Sequence, residues 1–528
     1  MNSLALSGGG VITPFVAFTL VVVFSFLLCL IVGMDNDDLP DFLAANRKMS
    51  TLRNSFALFG DSLSATVFLS AVGGIAFAGF RGMVAVAALV AAFGILQLLA
   101  EPVRALKGYT LGDLLNGPLA SPAVRIAAAV VTLMVCVPIL VVQLTVAGDV
   151  TAYVTGLERN DAAKVCTILI GVLIPLFAAF GGMRGISLIQ IGKSVLVLGA
   201  VTVLVYAVLQ RADWDLGAVV EKAGQQSGGH DIFYSDMASP LADIGKADLY
   251  SLGLTSALGA AVLPHILLRI NSFRDARGAR LGSLIAMGAT LVLAVGIVLV
   301  GLSAAATVGG AAILGEDPSG YAALFMLSDT ISGRGGIVLT VVSVAVLLTA
   351  VSTASGITIA GAAGIAHDLY SQVWKKGRVA EDRVVRLTRW SIVGIGLVSV
   401  YLAVELKARS ILFVSTFALT VAASTILPAL VYRLYWKRFT RPGLLLTLYG
   451  PLVCSVVLQA FSPAVSGNPS SLFPSADFDY VPLYYVTVVT VPVGFFLGWA
   501  GSLLTRGSAT AGPVGAHRRD EQWNTYPV

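Results

Sequence analysis

Long apolar runs separated by short polar segments dominate the chain. A membrane-spanning helix needs about 20 mostly apolar residues, and we count thirteen runs of suitable length and composition. The pattern therefore predicts an all-α membrane protein with about 13 transmembrane helices. The predicted spans are Val11–Gly33, Arg53–Phe80, Met83–Leu99, Val124–Ala147, Val165–Gly181, Ile186–Leu209, Leu249–Leu268, Leu281–Val308, Gly336–Ala366, Trp390–Val404, Ser410–Trp436, Gly443–Phe461 and Val481–Leu504.

Composition indicates the same class of protein. Of the 528 residues, 57% are hydrophobic and only 12% are charged, and the mean hydropathy is +0.87. These values are incompatible with a soluble surface. The segments between the spans are short, and the longest is the acidic stretch Gln210–Asp248. None is large enough for a separate enzymatic domain, so we expect a multi-pass plasma-membrane protein that is not an enzyme.

Lysine and arginine are distributed unevenly between the two sides of the predicted membrane. With the N-terminus outside, 24 of the 34 Lys and Arg residues fall in or beside cytoplasmic loops and the C-terminal tail, and nine fall outside. Because cytoplasmic loops carry an excess of positive charge, this predicts an outside N-terminus and an inside C-terminus. The net charge of +5 is thereby explained without nucleic-acid binding. The first span has no basic residue before it, which favours a retained helix over a cleaved signal peptide.

The second span contains a polar interruption, Gly60–Ala65. Glycine next to an acidic residue and two serines makes a poor helix centre. A break at membrane depth is tolerated only where the freed backbone groups face protein, water or a bound ion. We therefore expect the carbonyl groups of Gly60 and Leu63 to face a small cation. The helix that restarts near Ala65 would offer free N–H groups to an anion.

Three polar residues of the ninth span share one helical face. Thr349, Ser352 and Thr353 stand at i, i+3 and i+4, which brings a carbonyl and two hydroxyls together. The simpler interpretation is that these hydroxyls bond to the preceding turn or to a neighbouring helix. Combined with the carbonyls of Gly60 and Leu63, however, they form a candidate site for a cation with five oxygen ligands.

A second weak point lies in the seventh span, where Ser256–Ala260 is followed by Pro264. Paired interruptions in two five-helix halves are typical of an inverted repeat. The predicted organisation is a peripheral first helix in 1–35, a first repeat in 53–210, an extracellular loop in 211–248, a second repeat in 249–436, two peripheral helices in 437–504 and a disordered cytoplasmic tail in 505–528.

Ionisable residues inside the spans are candidates for coupling. A charge at mid-bilayer costs about 2.5–3.5 kcal/mol on insertion scales. Lys193 either extends its amine to the interface or approaches Asp61 beneath the cation site, where each would reduce the desolvation cost of the other. In that position its amine could replace a bound cation. His265 follows Pro264, and a structural hydrogen bond is the simpler alternative to a role in proton transfer.

Several short motifs are similar to one known family. The chain resembles the sodium:solute symporter family, and within it the cation–acetate symporters most closely. The stretch Leu263–Arg269, with Asp275–Arg277, is the most specific part of the resemblance. The other matching segments are Asp41–Arg47, Gly60–Ala65, Ala100–Arg104, Gly108–Thr110, Gly181–Met183, His367–Tyr370 and Tyr435–Arg438.

The resemblance implies a LeuT-like core with a 5+5 inverted repeat and a bacterial inner-membrane location. Its sodium site maps onto the five oxygen ligands named above. Sugar-transporting relatives carry an acidic residue where this chain has Gln190, and a polar sugar-binding residue where it has Val67. A hexose therefore does not fit, whereas the acetate relatives share Gln190 and Lys193.

The expected activity is secondary active transport, with cation-coupled symport of acetate or a similar short monocarboxylate. The coupling cation is Na⁺ or H⁺, and no other cofactor is expected. The alternative is a proton-coupled or uncoupled carrier, or a channel, for another small solute. Membrane lipid is the other expected partner, and the sequence does not indicate an oligomeric state. The predicted carboxylate-binding residues are Ser64, Ala65, Thr66 and, opposite them, Gln143.

Overall fold

The structure is a computed structural model that describes residues 9–33, 38–156, 160–226, 246–317, 319–333, 336–406, 411–467 and 471–505. These residues form helices, and no β-sheet is present among them. The helices of the first half are α1 (Gly9–Gly33), α2 (Leu39–Ala44), α3 (Thr51–Ser62), α4 (Ala65–Ala78), α5 (Met83–Ala105), α6 (Leu111–Asn116), α7 (Pro122–Thr155), α8 (Asn160–Arg211) and α9 (Leu216–Gln226).

The second half continues the all-helical architecture. Its helices are α10 (Lys246–Ala261), α11 (Pro264–Asn271), α12 (Ala276–Thr307), α13 (Gly310–Glu316), α14 (Ala323–Ser332), α15 (Ile337–Ala363), α16 (Glu381–Glu405), α17 (Ile411–Val421), α18 (Leu427–Tyr435), α19 (Arg441–Ala460) and α20 (Thr487–Leu504). Two π-helical segments, Gly364–Trp374 and Ala422–Ile426, follow α15 and α17. The all-α prediction is confirmed.

Eleven helical stretches of the described residues are long and apolar enough to cross a membrane. Two of them, Ala65–Ala105 and Asp161–Arg211, contain 41 and 51 residues, about twice the length that one crossing needs. Each is interrupted by a glycine with positive φ, Gly79 at 55° and Gly182 at 52°. Gly79 lies at the end of the second predicted span, close to the start of the third, and Gly182 lies between the fifth and the sixth. The count of thirteen crossings and the orientation of the termini stay predictions.

The second predicted span is broken as the sequence indicates. Helix α3 ends at Ser62 and α4 begins at Ala65. Between them Leu63 has φ −89° and ψ 107°, and Ser64 has φ −97° and ψ 156°, both extended conformations. The Ser64 hydroxyl accepts a 3.1 Å hydrogen bond from the amide of Val67, so Ser64 is the N-cap of the second half of the broken helix.

The seventh predicted span is also broken, although not in the segment that the sequence favours. Ser256–Ala260 remains helical within α10, and the break lies at Leu263, with φ −58° and ψ 137°, directly before Pro264. Proline cannot donate to the preceding turn but is well tolerated at the first position of a helix. The repeat boundaries stay predictions, and residues 227–245 of the predicted extracellular loop and 506–528 of the tail lie outside the described residues.

Three helices surround the first break. Helix α15 packs against α8 and α7, and α3 packs against α8. A Cβ atom at Gly60 of α3 would lie 2.6 Å from the backbone oxygen of Gln190 in α8, so only glycine allows this approach. By contrast, only 22% of the most apolar window of α1 is buried. The broken helix is therefore enclosed, whereas α1 is largely exposed, and its assignment as a peripheral helix stays a prediction.

Candidate functional site

The carbonyl oxygen of Leu63 is the point at which three helices meet. It accepts a 3.0 Å hydrogen bond from the hydroxyl of Thr353 on α15. It also accepts a 2.9 Å hydrogen bond from Nζ of Lys193 on α8. Nζ in turn donates to Oγ1 of Thr353 at 2.8 Å. All three residues are buried, so a carbonyl, a hydroxyl and an ammonium group form a compact polar centre at the helix break.

The remaining candidate cation ligands lie around this centre. The carbonyl of Gly60 accepts from the amide of Leu63 at 3.2 Å. The hydroxyl of Ser352 donates to the carbonyl of Leu348 at 2.7 Å, and it has a longer contact of 3.4 Å to the carbonyl of Thr349. Thr349, Ser352 and Thr353 are at most 1% exposed. They face protein, and two of the five predicted ligands, Leu63 and Thr353, are in direct contact.

Lys193 is fully buried, so its amine does not extend to the interface. Lys193 interacts electrostatically with Asp61, but it forms no salt bridge with this carboxylate, which has other partners. Its Oδ2 lies 2.6 Å from Nε of Arg269, and its Oδ1 accepts a 2.6 Å hydrogen bond from Nε2 of Gln190. Arginine presents several donors in a fixed planar arrangement that suits a carboxylate better than a single ammonium does. Lys193 makes no ion pair with any of the described residues.

Arg269 is a site residue that the sequence analysis did not identify. It belongs to α11, the helix that restarts after the second break, and its side chain is fully buried. Besides Asp61, its guanidinium donates to the hydroxyl of Ser187 on α8. We call Asp61, Gln190, Arg269 and Ser187 the Asp61 network. The available signal was an arginine between leucine and isoleucine residues, five positions after Pro264.

His265 lies beside this network. Its side chain is 3% exposed and interacts electrostatically with Asp61, Arg269 and Lys193. Its Nδ1 has no hydrogen-bond partner among the described residues. The structure therefore places all three coupling candidates, Asp61, Lys193 and His265, in one buried group around the break.

The candidate substrate residues occupy the start of α4 and the interior of α7. The Ser64 hydroxyl is used to cap α4, and Ala65 is fully buried at the first helical position. Two buried oxygens, Oγ1 of Thr66 and Oε1 of Gln143, have no hydrogen-bond partner among the described residues. Because buried polar atoms are rarely left unsatisfied, these two can bond to a ligand, and α4 and α7 are in contact.

A second polar cluster connects α6, α7 and the π-helical segment after α15. Nη1 of Arg125 lies 2.9 Å from both Asp113 Oδ1 and Asp368 Oδ1. The hydroxyl of Thr110 donates to Asp368 at 2.7 Å, and Nε2 of His367 lies 3.1 Å from Asp113 Oδ2. We call these five residues the Asp113 cluster. It joins positions more than 240 residues apart in the sequence.

The electrostatics of the Asp113 cluster favour the charged form of Asp113. Burial by itself raises the pKa of Asp113, but its contacts with His367 and Arg125 outweigh burial and hold the pKa well below its usual range. The candidate ligand atoms of Asp113, His367 and Asp368 lie within 4.8 Å of one another. The guanidinium of Arg125 contacts both carboxylates, so each of them already has a basic partner within the protein.

A small cavity lies directly beside the Asp113 cluster. Ala360 lines this cavity. It follows Thr353 by seven residues on α15, so the two residues are about 10 Å apart along the helix axis. The cavity thus lies between the cluster and the polar centre at Leu63. Its lining residues are Tyr109, Thr110, Leu111, Thr132, Pro264, Leu268, Ala360, Ala363 and Gly364.

Two broken helices, enclosed by long helices and bearing buried polar groups, define a membrane transporter of the LeuT-like class. The chain is similar in structure to a Na⁺-coupled sialic acid symporter in a substrate-bound, outward-open state, with a TM-score of 0.74, 12% identity and coverage of 95% of this chain and 98% of that one. MhsT in complex with L-phenylalanine gives a TM-score of 0.55 at 13% identity, with 85% and 98% covered. These similarities show the fold.

Sequence comparison identifies the family. The model of the sodium:solute symporter family matches residues 42–450, and the chain belongs to that family. It is 30% identical over 502 residues to the monocarboxylic acid transporter of Corynebacterium glutamicum, covering 92% of this chain and 90% of that protein. It is also 30% identical over 498 residues to the uncharacterized symporter YwcA of Bacillus subtilis, covering 93% and 94%. The protein is a multi-pass protein of the plasma membrane.

Proposed function

We propose that this protein carries acetate or a similar short-chain monocarboxylate into the cell together with a cation. The observation that supports this proposal most directly is the polar centre at Leu63. A carbonyl freed by a helix break faces a hydroxyl of another helix, and an ammonium group bonds to both. Such oxygens suit a small cation, and transporters of this class bind their ions at breaks of this kind.

Na⁺ is the coupling cation that these oxygens favour. Its proposed ligands are the carbonyls of Gly60, Leu63 and Thr349 and the hydroxyls of Ser352 and Thr353. Lys193 uses two of the same oxygens. An ammonium group and Na⁺ carry the same charge, so they are alternative occupants and Na⁺ must displace the ammonium. The second candidate is coupling to H⁺, in which Lys193 supplies the positive charge of the site itself.

The substrate is proposed to bind at the start of α4. A carboxylate at a helix N-terminus is stabilised by the free N–H groups and the helix dipole. Ser64, Ala65 and Thr66 form this N-terminus, and the side-chain amide of Gln143 on α7 would donate its N–H to the carboxylate. The name of the Corynebacterium glutamicum relative supports a monocarboxylic acid. The cation would hold the broken segment in place and so complete the carboxylate site.

Uptake by purified protein in proteoliposomes tests this function. Labelled acetate, propionate, pyruvate, lactate and glucose are offered with an inward Na⁺ gradient alone, an inward H⁺ gradient alone, or neither. We expect accumulation of one or more of the monocarboxylates against its gradient with Na⁺, loss of accumulation with a Na⁺ ionophore, and no glucose uptake. Accumulation with the H⁺ gradient alone would select the second candidate. Equilibration without accumulation in every arm would indicate an uncoupled carrier or a channel and contradict the proposal.

A further inference from the structure

Among the described residues, Arg269 is the one that forms a salt bridge with Asp61, and its guanidinium lies beside the proposed cation site. We propose that Arg269 is a positioning residue that holds Asp61 as its own counter-ion and so keeps this carboxylate out of the cation site. The Leu63 carbonyl and the Thr353 hydroxyl then remain available to Lys193 or to a transported cation. This inference rests on the cation site of the proposed function.

The position of Asp61 makes such a restraint necessary. Asp61 is two residues before Leu63, at the end of α3. A Cβ atom at Gly356 would lie 2.9 Å from its Oδ1, so the carboxylate packs against α15 about one turn from Thr353. A free carboxylate at this distance would compete with the neutral oxygens for any cation in the site. Arg269 and Gln190 instead occupy both of its oxygens.

The charges of the buried group determine how a cation can displace the ammonium of Lys193. The buried group contains one carboxylate, Asp61, and two basic residues, Arg269 and Lys193, beside the imidazole of His265. Helix α15 contributes only hydroxyl and carbonyl groups to this centre. Because Asp61 is paired with Arg269, the ammonium of Lys193 is bound by neutral oxygens alone, and a cation can displace it without breaking an ion pair.

Replacing Arg269 tests this role without any substrate. In Arg269→Gln, Asp61 is free to pair with Lys193 and to hold the ammonium over the site oxygens. The Na⁺ concentration that gives half of the maximal thermal stabilisation of the full-length protein in detergent is expected to rise about tenfold, a typical coupling for residues of one network. In Asp61→Asn/Arg269→Gln that concentration is expected to return to within about threefold of the wild-type value.

Two further variants complete the design. Arg269→Lys keeps the positive charge and is expected to keep the wild-type Na⁺ midpoint. If Arg269→Gln does not fold, a raised Na⁺ midpoint in Arg269→Lys would contradict a restraint that depends on this charge. Arg386→Gln, on the exposed surface of α16, controls for unspecific effects of removing an arginine. A lowered melting temperature with an unchanged Na⁺ midpoint in Arg269→Gln would mean a purely structural ion pair and would overturn the proposal.

The remaining outcomes separate this inference from the proposed function. If the Na⁺ midpoint of Asp61→Asn/Arg269→Gln is no closer to the wild type than that of Arg269→Gln, the effect of Arg269 does not pass through Asp61 and the proposal is overturned. A wild-type protein that does not respond to Na⁺ would overturn it as well, because Arg269 would have no Na⁺ site to protect. A Na⁺ response with the expected pattern but without acetate uptake would refute only the proposed substrate.

Discussion

Nζ of Lys193 lies 2.9 Å from the carbonyl oxygen of Leu63, at the residue where the second membrane crossing is interrupted. The ammonium therefore bonds to a carbonyl group that helix formation would otherwise have used. Among the described residues it gains no carboxylate partner there, and its stability depends on two neutral oxygens.

Removal of this ammonium should expose the site to Na⁺. In Lys193→Gln, Na⁺ no longer competes with a positive charge, so the Na⁺ concentration for half-maximal thermal stabilisation is expected to fall. Lys222→Gln, which alters an exposed lysine of α9, serves as the control and should not shift this concentration. An unchanged Na⁺ midpoint in Lys193→Gln would contradict the idea that ammonium and Na⁺ share the same oxygens.

Thr353 is expected to be essential for cation affinity through its hydroxyl group. Thr353→Val keeps the shape but removes the hydroxyl, and a hydrogen bond to a charged group contributes about 1.5–3 kcal/mol. The Na⁺ concentration for half-maximal acetate uptake should rise by about tenfold or more, while Thr353→Ser should remain close to the wild type.

A matched control for this variant lies on the same helix. Thr358 is also buried, but its hydroxyl donates to the carbonyl of Ala354 within α15. Thr358→Val should leave the Na⁺ dependence of uptake unchanged. Equal effects of the two valine variants would show that Thr353 contributes only to helix packing.

Gly60 is expected to be required for the packing of α3 against α8. In Gly60→Ala the new Cβ would lie 2.6 Å from the backbone oxygen of Gln190, and backbone cannot move as easily as a side chain. Overpacking of this kind costs about 1–3 kcal/mol, so the melting temperature should fall. Gly192→Ala is the comparison, since a Cβ there meets nothing within 4 Å. Similar melting temperatures for both variants would argue against the close approach.

Gln143 should affect the substrate rather than the cation. The side-chain amide of Gln143 is proposed to donate an N–H to the carboxylate, so Gln143→Leu removes this donor from the proposed site. We expect the KM for acetate to rise about tenfold, within the cost of one lost hydrogen bond, with the Na⁺ midpoint unchanged. Thr145→Val, two residues further on, removes a hydroxyl that bonds within α7 and should leave KM unaltered. A normal KM in Gln143→Leu would exclude this residue from the substrate site.

Arg125 is expected to stabilise the fold by neutralising Asp113 and Asp368. These side chains are 13%, 15% and 1% exposed, and removal of one partner from a buried ion pair costs about 3–5 kcal/mol. Arg125→Gln should therefore lower the melting temperature strongly. Arg386→Gln, in a pair that is 70% and 55% exposed, should change it little. A comparable small change in both would show that the Asp113 cluster contributes no net stability.

The sequence predicted those features that depend on local chemistry. Gly60 and the polar residues around it disfavour a continuous helix, and the structure has the break at Leu63. The i, i+3, i+4 spacing placed Thr353 on a buried face. The cost of a buried amine drew attention to Lys193, whose role in coupling stays a prediction.

Other features depend on contacts between distant parts of the chain and were missed or misplaced. Arg269 was counted among cytoplasmic loop charges, and only the tertiary structure shows that it reaches Asp61. His367 belongs to the Asp113 cluster through a partner 254 residues away, which no local pattern indicates. The second break was placed too early because Pro264, rather than the preceding small residues, ends the helix.

The pair of Asp61 and Arg269 also constrains motion. Asp61 ends the helix before the first break, and Arg269 lies in the helix that follows the second. Separating the two side chains would leave two unpaired charges in a medium of low dielectric constant, at a cost of several kcal/mol for each ion. A buried ion pair thus connects the two interruptions, and any conformational change that keeps this pair intact has to move both of them together.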